Sequence, residues 1–462
     1  MTKPIMNIAA LQATAPNAEW ITDASALRAY ECDAYSAYRE LPVAVVLPNT
    51  TEEVAAIMRH CDEHDIDVVA RGAGTSLVGG SMPKAGGIVL GLARMNQVVE
   101  FVPEDRMICV QTGITNLMVS HLVAEHNLFY APDPSSQMAC SIGGNIAMNS
   151  GGAHCLKYGV TTNNLIAVKM VSAQGGIYDF HVDDGFDLRG VICGSEGQLG
   201  IVTEAWLKLE TSPDGALPMM IGFPTPEDAG ECVASIIRAG IIPVAIEYMD
   251  EIMIREVEKF AKAGYPLVSA LLIVELEGDE TRIAAEMDEI EKIALNHKAE
   301  PVRRAGNADE AAKIWAGRKA AFGVMGRLAD YITLDGVVPI SQLAEALKRI
   351  SKLSEEHGLG VTNVFHAGDG NLHPLIMYDA QKEGDLQRAE TLGAEILTEC
   401  VALGGCLTGE HGVGIEKREI MTRQWLPHEL ELQMQIKDVF DPAWRLNPDK
   451  VFPLAISAER RA

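Results

Sequence analysis

The chain has 462 residues, 48% hydrophobic and 22% charged, so it carries material for large cores and is too long for one ordinary compact domain. Lys and Arg total 38 against 64 Asp and Glu, and the formal net charge of -26 excludes a nucleic-acid or anionic-membrane surface; an anionic substrate must be drawn by a local positive cluster. The opening MTKPIMNIAALQAT has no basic region leading into an apolar core, and runs such as 267–274 fall short of a bilayer span, so a soluble cytosolic protein is expected.

In chain order, 43–47 reads as a strand, and Thr50 with Glu53 three residues later reads as a capping box. The helix that follows puts Val54, Ile57, Met58 and Cys61 on one face. A second strand, 66–70, completes a βαβ unit and runs into the glycine-rich RGAGTSLVGG at 71–80. Two further glycine-rich blocks follow, PDPSSQMACSIGGNIAMNSGGAHCLKYG at 132–159 and CGSEGQLGIVTEAWLKL at 193–209, the last ending in a strand. From TSPDGALP at 211–218 the texture changes to a strand near 219–223, a helix 226–239, strands 243–249 and 268–276, and a helix 279–296. This predicts a second α+β domain with its sheet covered on one face. After about 380 the chain reads as helical, apart from a glycine-rich stretch at 404–414. The 9 Cys have no C-x-x-C pair, which supports neither a disulfide framework nor an iron–sulfur site and reads as small buried hydrophobes.

Glycine blocks let successive backbone N–H groups close on an anion, and a pyrophosphate is their natural occupant. The spacing in RGAGTSLVGG is not the Rossmann G-x-G-x-x-G, and no helix opens directly after it, so NAD is not supported. In VFHAGDGNLHPL (364–375) two histidines flank a Gly-Asp-Gly turn; if 361–365 and 372–377 pair as a hairpin, His366 and His373 sit at its mouth, close enough to share an ion. TGEHGVG (408–414) offers Glu410 and His411. Two His and one carboxylate with positions left open is a catalytic metal arrangement, suited to Zn, Mn or Fe, whereas a single His beside a turn is an ordinary hydrogen-bonded surface group.

The strings AVVLPNTTEEV, RGAGTSLVGG, SIGGNIAMNSGG and GSEGQLGIVTEAWLKL resemble, in order and spacing, the FAD domain of the vanillyl-alcohol oxidase and p-cresol methylhydroxylase superfamily. With YECDAYSAYRELP and GRKAAFGVMGRLADYITLDGVVP, the resemblance extends from about residue 30 onward and is strongest to the glycolate oxidase flavin-subunit branch, beside the D-lactate and D-2-hydroxyglutarate dehydrogenases. It implies Arg71, Gly72, Gly74, Thr75, Ser76 and Gly79 in the pyrophosphate loop and Pro132 and Asp133 beside the isoalloxazine. It places Ser141, Gly143, Gly144, Asn145, Gly151 and Gly152 around the diphosphate and ring, with Glu196, Gly200 and Ile201 closing over the adenosine half and the flavin edge. Members that tether FAD often carry His at the position of Thr75, which cannot make that bond, so noncovalent FAD is implied. The motifs H-x-G-D-G-N-x-H and G-E-H-G imply His366, His373 and Glu410 as metal ligands and His411 as catalytic base. IWAGRKAAFG makes Arg318 the group that grips the substrate carboxylate. Leu375 and Thr333 stand where 2-hydroxyglutarate enzymes of the branch carry Asn and Lys, which implies a smaller monocarboxylate.

The expected architecture is α+β: a two-part FAD domain of the p-cresol methylhydroxylase type (1–214), a ferredoxin-like cap (215–385) and a C-terminal helical segment (386–462) closing the site. The expected activity is FAD-dependent oxidation of glycolate, with D-lactate as second candidate, beside companion FAD-domain and iron–sulfur subunits at the inner face of a membrane. A stand-alone D-lactate or D-2-hydroxyglutarate dehydrogenase is the alternative within the class. A subunit holding FAD structurally would not need the His, Glu and Arg set, and a flavin-free metallohydrolase would leave the glycine blocks unexplained.

Overall fold

The computed structural model describes residues 6–461; the first five residues of the stretch read for a leader, and the last residue of the expected C-terminal segment, lie outside them. The first expected strand spans Ala44–Leu47 and the helix after it Thr51–Glu63, with Val54, Ile57, Met58 and Cys61 buried. The Thr50 hydroxyl accepts from Glu53 N–H at 3.2 Å, while the Glu53 carboxylate reaches past the cap to take the Asn49 N–H at 2.7 Å. The next strand, Val68–Arg71, lies parallel in the same sheet but is not the neighbour of the first. The order is Glu19–Ile21, Ala44–Leu47, Ile88–Gly91, Val68–Arg71, so the βαβ unit is split by a strand that arrives later. Ile88–Gly91 is buried at every position, as a strand covered on both faces must be.

The chain divides into two units. One takes the chain up to Gly151, Gly159–Ser212 and the chain from Glu410 on; the other takes Gly152–Tyr158 and Pro213–Gly409. The expected C-terminal segment 386–462 therefore divides between them: helix Asp385–Ala402 belongs to the second unit and helix Pro427–Phe440 to the first.

The first unit holds the two expected α+β parts. Beside the four-stranded sheet stands a five-stranded antiparallel one, ordered Val98–Val102, Met107–Gln111, Ile201–Lys208, Leu165–Val171, Ile177–His181, and each part has its own apolar cluster. The returning chain is built into this unit. Leu446 forms a parallel bridge with Val68, and Asn447 gives its N–H to Val68 O at 2.8 Å. The Asn447 side chain accepts from Ala70 N–H at 3.0 Å and donates to Glu196 O at 2.7 Å.

In the second unit the strands run Val302–Arg304, Ala216–Phe223, Ala270–Glu277, Ala245–Asp250, the fourth-first-third-second order of a ferredoxin-like βαββαβ sheet. The sheet continues through Val361–His366, which pairs antiparallel with Ala245–Asp250. It is covered on both faces rather than one. Helices Pro226–Arg238 and Glu280–Asn296 pack against its strands, while helices Glu251–Ala261 and Ala308–Met325 share a second cluster with Met220, Leu271, Ile273 and Val364. The unbroken apolar run 270–274 already carries that information, because a half-exposed strand would alternate. Segment Gly152–Tyr158 is held in this unit by His154, 3.1 Å from Glu275, and by Lys157 and Tyr158 on Glu277.

The 9 cysteines, all among the described residues, form no disulfide, and burial pushes the thiols of Cys61, Cys109, Cys232 and Cys400 up to about 12, as inert hydrophobes require. Among the described residues no helix is long and apolar enough to cross a membrane.

Candidate active site

The first unit contains a cleft of about 670 Å³ lined from both of its parts. Gly72 and Ala73 enter from the loop after Val68–Arg71, Ser141 from the second glycine block, and Gly113, Ile114 and Thr115 from the turn after Met107–Gln111. Side chains are excluded here by geometry. A Cβ on Gly72 would stand 2.2 Å from Ser141 Oγ, and Gly74, at φ +73, has the Arg71 guanidinium against the same position at 2.1 Å. Ser76 Oγ accepts from Gly80 N–H at 3.1 Å and tightens the loop, and Gly79, at φ +74, is pressed on Ile415 of the returning chain. Thr75 lies within the same turn-rich loop. Ser141 caps helix Ile142–Met148 by accepting from Gly144 N–H, and Gly143 packs on Thr112. Asn116 ties the remaining pieces together, donating to Pro132 O at 2.9 Å and to Asn145 Oδ1 at 3.0 Å; Asp133 is the next residue, half-buried. A cleft of this volume bordered by glycine-bearing turns, where backbone can approach a ligand closely, has room for part of a dinucleotide, so these residues fit FAD.

Three residues expected over the flavin also pack within the first unit. Glu196 is buried with a left-handed backbone, φ 53, and its carboxylate accepts from Val413 N–H at 2.7 Å and Gly414 N–H at 2.8 Å. Burial raises that carboxyl against the pull of the two donors. Gly200 is forced by Met170, whose sulfur would be 2.2 Å from a Cβ, and Ile201 is a core residue of the parallel-sheet part.

The second unit buries a cluster of ionisable side chains. The hairpin exists: His366 ends strand Val361–His366, which pairs with Asn371–Leu372 and with Pro374–Tyr378, and the rings of His366 and His373 meet edge to face at 5.2 Å. Both are buried. Arg318, on helix Ala308–Met325, is 4% exposed, so it is not the ordinary surface arginine its helical setting suggests. It is joined to His366 by a residue the sequence reading missed. Glu247 Oε2 accepts Arg318 Nε–H at 2.7 Å and pairs with Arg318 Nη2 at 2.7 Å, while Oε1 accepts His366 Nδ1–H at 2.7 Å. Burial alone would raise the Glu247 carboxyl, but the Arg318 guanidinium and His366 outweigh it and hold it down at about 2. A lone acid inside the apolar strand AIEYM was the available signal. Asp335, fully buried, was also missed; it takes Asn371 Nδ2–H at 2.8 Å and Gly409 N–H at 2.9 Å and stands 3.4 Å from His373 Nε2. Thr333 and Leu375, the two positions that depart from the dicarboxylate pattern, are register partners on paired strands.

Glu410 and His411 belong to the first unit, where the Glu410 carboxylate accepts from Gly151 N–H at 3.0 Å. Gly152, the other expected ring-packing glycine, falls in the second unit at φ +140.

Comparisons with known proteins bear on the family and the fold. Residues 216–451 match the family "FAD linked oxidases, C-terminal domain", and residues 42–181 match "FAD binding domain". The chain is 44% identical to glycolate oxidase subunit GlcD of Escherichia coli over 96% of its own length and 90% of the relative's. It is 37% identical to the GlcD subunit of Bacillus subtilis, covering 92% of each, and 31% identical to a D-lactate dehydrogenase of Anaerostipes hadrus, covering 89% of each. Among solved structures, 4-ethylphenol oxidase from Gulosibacter chungangensis superposes with a TM-score of 0.82 at 17% identity, covering 97% of each chain. Substrate-bound p-cresol methylhydroxylase superposes with a TM-score of 0.80 at 16% identity over 97% of this chain and 96% of the other. The fold is thus the α+β architecture of the p-cresol methylhydroxylase type. The chain belongs to the FAD-linked oxidase family.

Proposed function

We propose that this chain is an FAD-dependent dehydrogenase of small 2-hydroxy acids, glycolate first and D-lactate second, working as the flavin subunit of a glycolate oxidase-type complex. The observation that carries the reading is the buried Arg318–Glu247–His366 chain beside His373, which no structural role of the ferredoxin-like sheet requires. The Nε–Nη2 edge of Arg318 is held by Glu247, which leaves the Nη1–Nη2 edge to take a substrate carboxylate as a two-bond fork. His366, with Nδ1–H given to Glu247, presents Nε2 as a lone-pair donor. His366, His373 and Glu410 would hold a divalent ion (Zn, Mn or Fe), and His411 would take the proton from the 2-hydroxyl. When bound, the ion supplies Lewis-acid polarisation of that hydroxyl and FAD supplies the acceptor for the C2 hydride. The loop with Gly72, Gly74, Thr75 and Ser76 would seat the pyrophosphate noncovalently, since a threonine hydroxyl offers no tether to the ring.

The size of the acid follows from Thr333 and Leu375. Both are buried and paired, and neither offers a charge to a second carboxylate. The net charge of -26 suits docking to companion FAD-domain and iron–sulfur subunits better than contact with a lipid surface, and it supports placement at a membrane's inner face only through them. Anaerobic mixing of the yellow protein with a panel of 2-hydroxy acids is the test. Glycolate or D-lactate should bleach the flavin and pass electrons to artificial dyes, with little oxygen consumption and none of NAD. Bleaching by 2-hydroxyglutarate in preference to both would overturn the substrate class.

A further inference from the structure

Glu247 sits on strand Ala245–Asp250 directly across the antiparallel pair from His366, and it is 1% exposed. Helix Ala308–Met325 packs on the same face of the sheet and brings Arg318 to the same carboxylate. A carboxylate present only to neutralise Arg318 would meet the guanidinium fork with both oxygens. Here the fork shares Oε2, and Oε1 is given to His366 Nδ1 at 2.7 Å.

We propose that Glu247 is a positioning residue for both halves of the chemistry: through Oε1 it fixes the tautomer and ring angle that make His366 Nε2 a metal donor, and through Oε2 it fixes the guanidinium edge that takes the acid. The inference rests on the reading given under Proposed function and deepens it. Metal affinity and substrate affinity then depend on one side chain that touches neither ligand. A carboxylate behind a ligating imidazole raises its basicity and locks its orientation, and losing such a partner lowers metal affinity about 10- to 100-fold.

The competing explanation is that Glu247 is only the buried counter-charge of Arg318. The two are separated by measuring Mn²⁺ affinity of the FAD-loaded protein, from the EPR signal of the free ion, in Glu247→Gln, Arg318→Met and the double variant. On the proposal, Glu247→Gln weakens Mn²⁺ binding about 10- to 100-fold and raises KM for glycolate, whereas Arg318→Met raises KM while leaving Mn²⁺ affinity within about threefold of wild type. The double variant should bind Mn²⁺ as weakly as Glu247→Gln. Should Glu247→Gln fail to fold, the double variant against Arg318→Met supplies the same comparison, because it buries no unpaired charge. Equal Mn²⁺ affinity in Glu247→Gln and wild type, or an equal loss in Arg318→Met, overturns the proposal and leaves the wider reading standing. A wild-type protein that binds no Mn²⁺ and is bleached by no 2-hydroxy acid overturns both.

Discussion

The Glu410 carboxylate accepts a hydrogen bond from the backbone N–H of Gly151, at 3.0 Å. The residue that would complete the metal site is thereby steadied by the glycine block that would pack against the flavin, and a ligand fixed before the ion arrives loses little entropy on binding. A chelator should abolish flavin reduction by the acid without releasing FAD, which the glycine-bearing loops of the first unit would hold. His373→Ala should behave like the chelated enzyme, and normal reduction rates in both would remove the metal from the site.

Arg318→Lys should weaken binding of the acid and slow flavin reduction. A lysine ammonium is a single point charge, and it cannot hold Glu247 and a substrate carboxylate on two edges of one plane as the guanidinium does. The lost charge-assisted bonds correspond to about 1.5–3 kcal/mol in kcat/KM. Kinetics equal to wild type would make Arg318 a structural partner of Glu247 alone.

Local signals in the sequence were strong where a single stretch of chain determines the outcome. The Thr50 cap, the buried face of Thr51–Glu63, the His366 hairpin and the strands of the ferredoxin-like sheet depend on neighbours a few residues away, and periodicity records them. Relationships between distant segments left weaker traces. Strand Ile88–Gly91 separates two strands that local pattern alone makes neighbours, and Glu247 meets Arg318 and His366 from positions 71 and 119 residues apart in the chain. Glu196 likewise finds its partners, Val413 and Gly414, more than two hundred residues downstream.

Acid precipitation should release all the yellow colour into the supernatant. Thr75 stands where tethering members carry His, and the glycine loop would hold the pyrophosphate by backbone N–H groups alone. Flavin retained in the washed pellet would contradict noncovalent binding.

Lys450 is buried, and burial pushes its ammonium down to about 8 against the attraction of Asp449 and Asp33. The unfolded chain holds that proton to a higher pH, near the ordinary lysine value of about 10.4, so between these limits it binds more protons than the folded one. Stability contributed at this position therefore rises with pH from about 8 upward, and the strain present at pH 7 is on the order of 3 kcal/mol. Relative to wild type, Lys450→Met should be more stable at pH 7, and the difference should shrink by pH 10 in denaturant titrations. A difference independent of pH would show that the lysine is not desolvated.

Asn447→Ala should lower the melting temperature and loosen FAD together. It orphans Ala70 N–H and Glu196 O, each worth about 1–3 kcal/mol when buried without a partner, and it puts alanine at φ 45. Loss of stability with FAD affinity unchanged would separate the returning chain from the cofactor seat.

The return of residues from Glu410 onward into the first unit also orders events during synthesis. Val68, Ala70 and Val78 wait for Arg445, Asn447 and Ile415, partners made hundreds of residues later, while the whole ferredoxin-like unit is translated in between. The second unit, Gly152–Tyr158 with Pro213–Gly409, has all of its chain before the first unit has its last segment. Tight FAD binding should then wait for the completed chain: nascent chains stalled before residue 410 should carry a folded second unit but no tightly held flavin.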